Sequence, residues 1–283
     1  MNRGMLSVLV FAVSVIGLNM GTTLPLLALR LHEGGAASLT IGVLSAMPAA
    51  GMILAALTTN WLFRRYCGRT LYLTCFTLCA LSTSALEWLP DSLALLVLAR
   101  LTLGVGMGVT VILGESWVNE LCSDARRGQV VALYAACFTG VQLLGPLLIS
   151  LFGVHSPWPV ILVTLANLLA LVVAARCLPP GWGQTDAQAQ QSFSLLGFLR
   201  VAPALCTGVL FFAFFDAVVL SLFPVYARVH GYALGAAALM ASVILGSVPV
   251  SFAAAPEPVL ARGKARDAKF SELNEPSRNA ASR

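Results

Sequence analysis

The amino-acid sequence predicts an all-α protein that crosses a lipid bilayer several times. Of its 283 residues, 58% are hydrophobic and only 10% are charged, against about 25% charged in a soluble domain. The mean hydropathy is +0.87, and the apolar residues come in runs of the ~20 residues that a helix needs to cross a hydrocarbon core of ~30 Å. The alternating segments of ~10 residues that build a transmembrane β-barrel are absent.

Eight apolar segments follow in order: 5–29, 40–62, 70–89, 93–117, 130–153, 158–178, 202–226 and 233–255. The first is too long for a signal-peptide core and lacks a clean small-residue cleavage site, so it reads as an uncleaved helix. Short loops with breaker residues separate the segments: Gly34-Gly35, Cys67-Gly68, Pro90-Asp91 and Ser156-Pro157. The exception opens with Pro179-Pro180-Gly181 and continues through a Gln-rich polar stretch. The expected organisation is therefore a six-helix unit over 1–178, a cytoplasmic linker over 179–201, two further helices over 202–255, and a polar basic tail over 256–283 that stays disordered. Segment eight is interrupted by Pro249 and followed by Pro256 and Pro258, which makes it the weakest helix.

Lys and Arg set the orientation. With the N-terminus in the cytosol, Arg3, Arg64, Arg65, Arg69, Arg126, Arg127, Arg176 and Arg200 fall inside, and only Arg30 and Arg228 fall outside. That asymmetry places both termini in the cytoplasm of a plasma or bacterial inner membrane. The net charge of +5 thus reflects topology, not nucleic-acid binding. Trp61, Trp88, Trp117 and Trp158 end segments, where an interfacial aromatic belt is expected. The seven cysteines form no CxxC pair and no metal spacing, and read as free thiols. No HExxH, P-loop, GxGxxG or Ser/His/Asp arrangement occurs, so neither an enzyme, a metal nor a cofactor is expected.

Ionisable groups inside a membrane are the candidates for chemistry, since each costs at least ~2.5–3.5 kcal/mol at the bilayer centre. Arg100 lies about 10 Å inside segment four at 1.5 Å per residue, and Asp216 near the middle of segment seven. Each is either structural, held by backbone carbonyls or a helix neighbour, or functional, facing a watered cavity. Asn19 in segment one and Asn167 in segment six fit interhelical hydrogen bonding, with Asn19 the better placed to line a cavity. Glu115 and Glu120, at the inner end of segment four, read as interfacial carboxylates within reach of Arg126 or Arg127. Gly104, Gly106 and Gly108 offer a small-residue face, and Gly145-Pro146 a helix bend.

These residues bring a family resemblance into view. Arg100 followed four residues later by Gly104, then Arg127-Gly128 and Gly145-Pro146, resembles the major facilitator superfamily. The first stretch looks like motif B of that family, and Gly145-Pro146 like part of its antiporter motif, with Val141 at the earlier glycine position. Gly68-Arg69 looks like a remnant of motif A, with Arg65 where the family has Asp. Glu115-Ser116-Trp117-Val118-Asn119 looks most like the YcaD-like branch.

The resemblance implies two six-helix halves built from inverted three-helix repeats, moving a small solute across the bilayer with proton coupling and, from the antiporter motif, outward. It makes Arg100, Asp216 and Asn19 candidates for transport or proton coupling, and Gly68, Arg69, Glu115, Asn119, Arg127, Gly145 and Pro146 candidates for gating. It also implies twelve helices where eight are counted. A reading-frame change after about Gly246 is the expectation that reconciles the two, and a non-transporting membrane fragment is the alternative to a working transporter.

Overall fold

A computed structural model describes residues 3–88, 92–122, 127–179 and 203–232. By its contacts the chain divides into Met1–Leu245, which holds every described residue, and Gly246–Arg283. Most of the linker, all of segment eight and the basic tail lie outside the described residues.

All the regular secondary structure among the described residues is α-helix, joined by short loops. The helices are α1 (Arg3–Glu33), α2 (Ser38–Arg65), α3 (Gly68–Trp88), α4 (Leu93–Leu121), α5 (Arg127–Gln142), α6 (Leu144–Phe152), α7 (Trp158–Cys177) and α8 (Pro203–Val229). Among the described residues, five spans are long and apolar enough to cross a membrane: Gly4–Glu33, Ser38–Arg65, Leu93–Leu121, Gly128–Phe152 and Trp158–Cys177. Segment three, now α3, is less apolar because it carries six Ser and Thr residues. Some of these bond their own helix, as Thr74 donates to Thr70 O at 2.7 Å and Thr77 to Leu73 O at 3.0 Å. Such back-bonding lets a hydroxyl sit in an apolar setting without a partner from another helix.

Segment five is not one helix. It breaks at Leu143 into α5 and α6, because Pro146 has no N–H to offer Gln142 and its ring crowds that carbonyl. The C-terminal end of the bent span closes on Gly153, at φ 88°, a left-handed conformation that favours glycine.

Lipid tails are as apolar as leucine, so burial alone does not hold such helices together, and close packing through small residues does. Two glycine seams show this. Along α4, Gly104 lies against the backbone of Pro48 and Gly108 against Met52 and Ala55, while Gly51 of α2 meets Leu101 and Gly104 in return. Along α1, Gly17 lies against the Phe138 carbonyl and Gly21 against Gln142, with Gly145 set on Gly21. In both seams the numbers rise together. Helices α2 and α4 therefore run parallel, as do α1 and α5, as a chain that crosses alternately up and down requires.

Helix α1 is the hub, in contact with every other described helix, while α3 packs between α4 and α7. Leu9, Val13, Tyr72, Phe76, Leu103, Met107, Leu113 and Trp117 form the main core. Trp117 corrects one expectation. Helix α4 runs four residues past it, and the indole is 1% exposed against Tyr72, with ring centroids 5.2 Å apart, instead of joining a belt. Trp61, Trp88 and Trp158 are exposed.

Candidate functional site

Arg100 is 1% exposed, on the face of α4 that carries Gly104 and Gly108. The spacing of four places all three toward α2 and α1. Its Nη1 donates to Thr23 Oγ1 at 2.8 Å and its Nε to Leu44 O at 3.4 Å. Among the described residues its Nη2 has no hydrogen-bond partner, and neither has Thr22 Oγ1, next to Thr23 in the sequence. The guanidinium is thus clamped on two sides and keeps one arm of its fork open. Thr23 escaped the sequence reading because one threonine in an apolar run carries no periodic signal.

Asn19 is fully buried and spoken for. Its Nδ2 donates to Asn167 Oδ1 at 2.9 Å, and Thr83 Oγ1 donates to its Oδ1 at 2.8 Å. Asn167 Nδ2 in turn donates to Val163 O at 2.8 Å. This chain ties α1, α3 and α7 together, so the expectation that Asn19 lines a cavity gives way to an interhelical tie: its amide has no exposed surface. Asn19→Ala removes two such bonds at ~0.6 kcal/mol each, with ~1.7 kcal/mol as the upper bound for one. It should lower the melting temperature in detergent while leaving the helical circular dichroism intact.

Glu115 and Asn119 are both exposed and line a cavity of about 330 Å³ between α1, α4 and α5. Arg126 and the Arg127 side chain lie outside the described residues. Asp216 falls on α8, and its side chain too lies outside them. Gly68 is buried at the start of α3, and Arg69 Nη2 donates to Ala175 O at 2.6 Å, tying that end of α3 to the end of α7. Gly145 packs on the backbone of Gly21 and Pro146 is buried beside it, so this pair sets the α1 contact as well as the bend.

A further group was not legible in the sequence. Arg30 donates to Glu87 Oε2 at 2.9 Å, to Val154 O at 2.8 Å and to Ser156 O at 3.0 Å. Glu33 meets His155 at 2.8 Å and Arg228 at 3.2 Å. One end of α1 thereby holds the ends of α3 and α8 and the loop between α6 and α7. The pairings span 57 or more positions, which no local spacing reveals. They also bring to one end Arg30 and Arg228, the two arginines expected outside.

Five long apolar helices packed through glycine seams define a multi-pass membrane protein. Residues 9–262 match the Major Facilitator Superfamily, and the chain belongs to it. That is a family of transporters that move small solutes across bilayers, not of enzymes. The match continues past Gly246, where the motif resemblance stopped.

The chain is 23% identical over 261 residues to the uncharacterized MFS-type transporter YfkF of Bacillus subtilis (strain 168), covering 89% of this chain and 65% of that protein. It is 29% identical over 107 residues to myo-inositol transporter 2 of Schizosaccharomyces pombe (strain 972), covering 38% of this chain and 19% of that one. In structure it resembles a D-xylose-proton symporter with a TM-score of 0.65 at 17% identity, over 86% of this chain and 65% of the symporter. The chain thus spans about 65% of the length of YfkF and of the symporter.

Proposed function

We propose that the chain acts in secondary active transport of a small solute by alternating access, as a proton-coupled efflux carrier of the inner or plasma membrane with both termini cytoplasmic. The observation that supports it best is Arg100, a charge held in the bundle by Thr23 and Leu44 with one arm of its fork open. A purely structural cation would be expected to satisfy all its donors. In this reading residues 1–178 form one six-helix half, 179–201 the linker and 202–255 the start of the second half. Asp216 exchanges the proton or meets a cationic group of the solute. Asn19 acts indirectly by holding α1, while Gly68, Arg69, Arg127, Gly145 and Pro146 shape the helix ends and the bend that rocking must accommodate. The likeness of Glu115-Ser116-Trp117-Val118-Asn119 to the YcaD-like branch supports reading the chain as a relative of that branch.

Proteoliposomes carrying a pH-sensitive dye test the reading. A panel of solutes should contain at least one that drives proton movement, and Asp216→Asn should lower that movement at least tenfold while insertion is retained. Absence of flux across the panel would favour the second reading, a membrane-embedded piece that does not transport by itself. The specific observation behind that reading is the 65% share of its relatives that the chain spans.

A further inference from the structure

The cavity beside Glu115 is built unlike the surroundings of Arg100. Glu115 lies fifteen residues further along α4, about 22 Å at 1.5 Å per residue. The cavity is lined by Val13, Val118, Tyr134 and Phe138, and Glu115 and Asn119 in its lining are exposed. Tyr134 is 5% exposed, and among the described residues its hydroxyl, resting on Gly114, has no hydrogen-bond partner. Among the described residues Glu115 makes no ion pair and no hydrogen bond.

An ionised carboxylate on an otherwise apolar groove of a membrane helix is costly unless a counter-charge or water meets it. The chemistry around it is selective. The lining includes two aromatic side chains, a residue type whose ring attracts a cation, the valines offer apolar contact, and few polar groups are present to satisfy the hydroxyls of a sugar. The volume of about 330 Å³ falls at the small end of ligand pockets.

We propose that this cavity binds a compact organic cation, an ammonium group on an apolar body, with Glu115 as its counter-charge, Tyr134 and Phe138 as its aromatic walls, and Asn119 as a hydrogen-bonding group at the mouth. Binding is an equilibrium property and stands apart from the transport reading, so a chain that binds but shows no flux would count against transport alone.

The test is calorimetric titration of the full chain, purified in detergent, with benzyltrimethylammonium, and with benzyl alcohol and benzenesulfonate as neutral and anionic comparators. The cation should bind saturably and at least tenfold tighter than either comparator. Glu115→Gln should weaken it at least tenfold. Ala135→Trp, which narrows the mouth and keeps the carboxylate, should also weaken it, and decides the matter if Glu115→Gln does not fold. Glu120→Gln, outside the cavity lining, should leave binding unchanged. No saturable binding, equal affinity for benzyl alcohol, or full affinity in Glu115→Gln would each overturn the proposal. The first of these is the outcome if another part of the chain, or a second copy, already fills the groove.

Discussion

Gly104→Val should prevent the chain from accumulating as a folded membrane protein. A Cβ at this position would fall on the Pro48 carbonyl oxygen, with the Pro48 C and Cα atoms each at 2.7 Å. These are backbone atoms, and Pro48 is itself buried in α2. No rotamer change can relieve the contact, so α2 and α4 must separate along the seam that also holds Gly51 and Gly108. Overpacking usually costs 1–3 kcal/mol, and about 3 kcal/mol or more is expected where only backbone can yield. That is a large share of the 5–15 kcal/mol typical of a folded protein. Size-exclusion of a fluorescent fusion should show loss of the monodisperse peak. Gly42→Ala is the control: nothing lies within 4 Å of its Cβ, and the exchange should be neutral or slightly favourable. A Gly104→Val protein that elutes and melts like the parent would show that the two helices do not meet there.

That seam shows what a sequence reading can and cannot reach. The spacing of Arg100, Gly104 and Gly108 announces a close-packed face, because residues four apart share one side of a helix. It does not name Leu44, Pro48 and Met52 as the opposing ladder, since register between helices about fifty residues apart leaves no periodic trace. The Gly-Pro pair likewise foretold a bend, while its contact with Gly21 depended on where α1 lies. Glu115 was read as interfacial because it stands close to the last apolar residue of its segment. That the same carboxylate also lines a cavity depended on where α1 and α5 pack against α4. Trp117 failed on the same kind of dependence: position along a helix was legible, but the side it faced was decided by Tyr72, forty-five residues earlier. Composition and run length reported the class of protein. Pairings between distant segments, such as Arg30 with Glu87 and Glu33 with Arg228, required the fold.

Arg100→Met separates the structural account of this arginine from the functional one. Methionine fills a similar volume, needs no hydrogen bonds, and avoids the ~2.5–3.5 kcal/mol that a charge costs at the membrane centre. Replacing a buried charge by a well-packed apolar side chain is often neutral or stabilising by about 1–4 kcal/mol. Thr23 loses only one partner, and its hydroxyl can turn to its own helix as Thr110 does toward Gly106 O at 2.8 Å. Thr23→Val is the opposite experiment: it leaves the guanidinium buried with Leu44 O as its remaining partner, at 3.4 Å, and should destabilise by about 3 kcal/mol. In detergent, Arg100→Met should therefore melt at or above the parent temperature, and Thr23→Val well below it. In proteoliposomes the proposed function expects Arg100→Met to lose proton-linked solute movement by at least a hundredfold despite its sound fold, because that reading gives the role to the open Nη2. A variant that is stable and still fully active would assign Arg100 to packing alone. One that unfolds would show the clamp to Thr23 and Leu44 to be structural first.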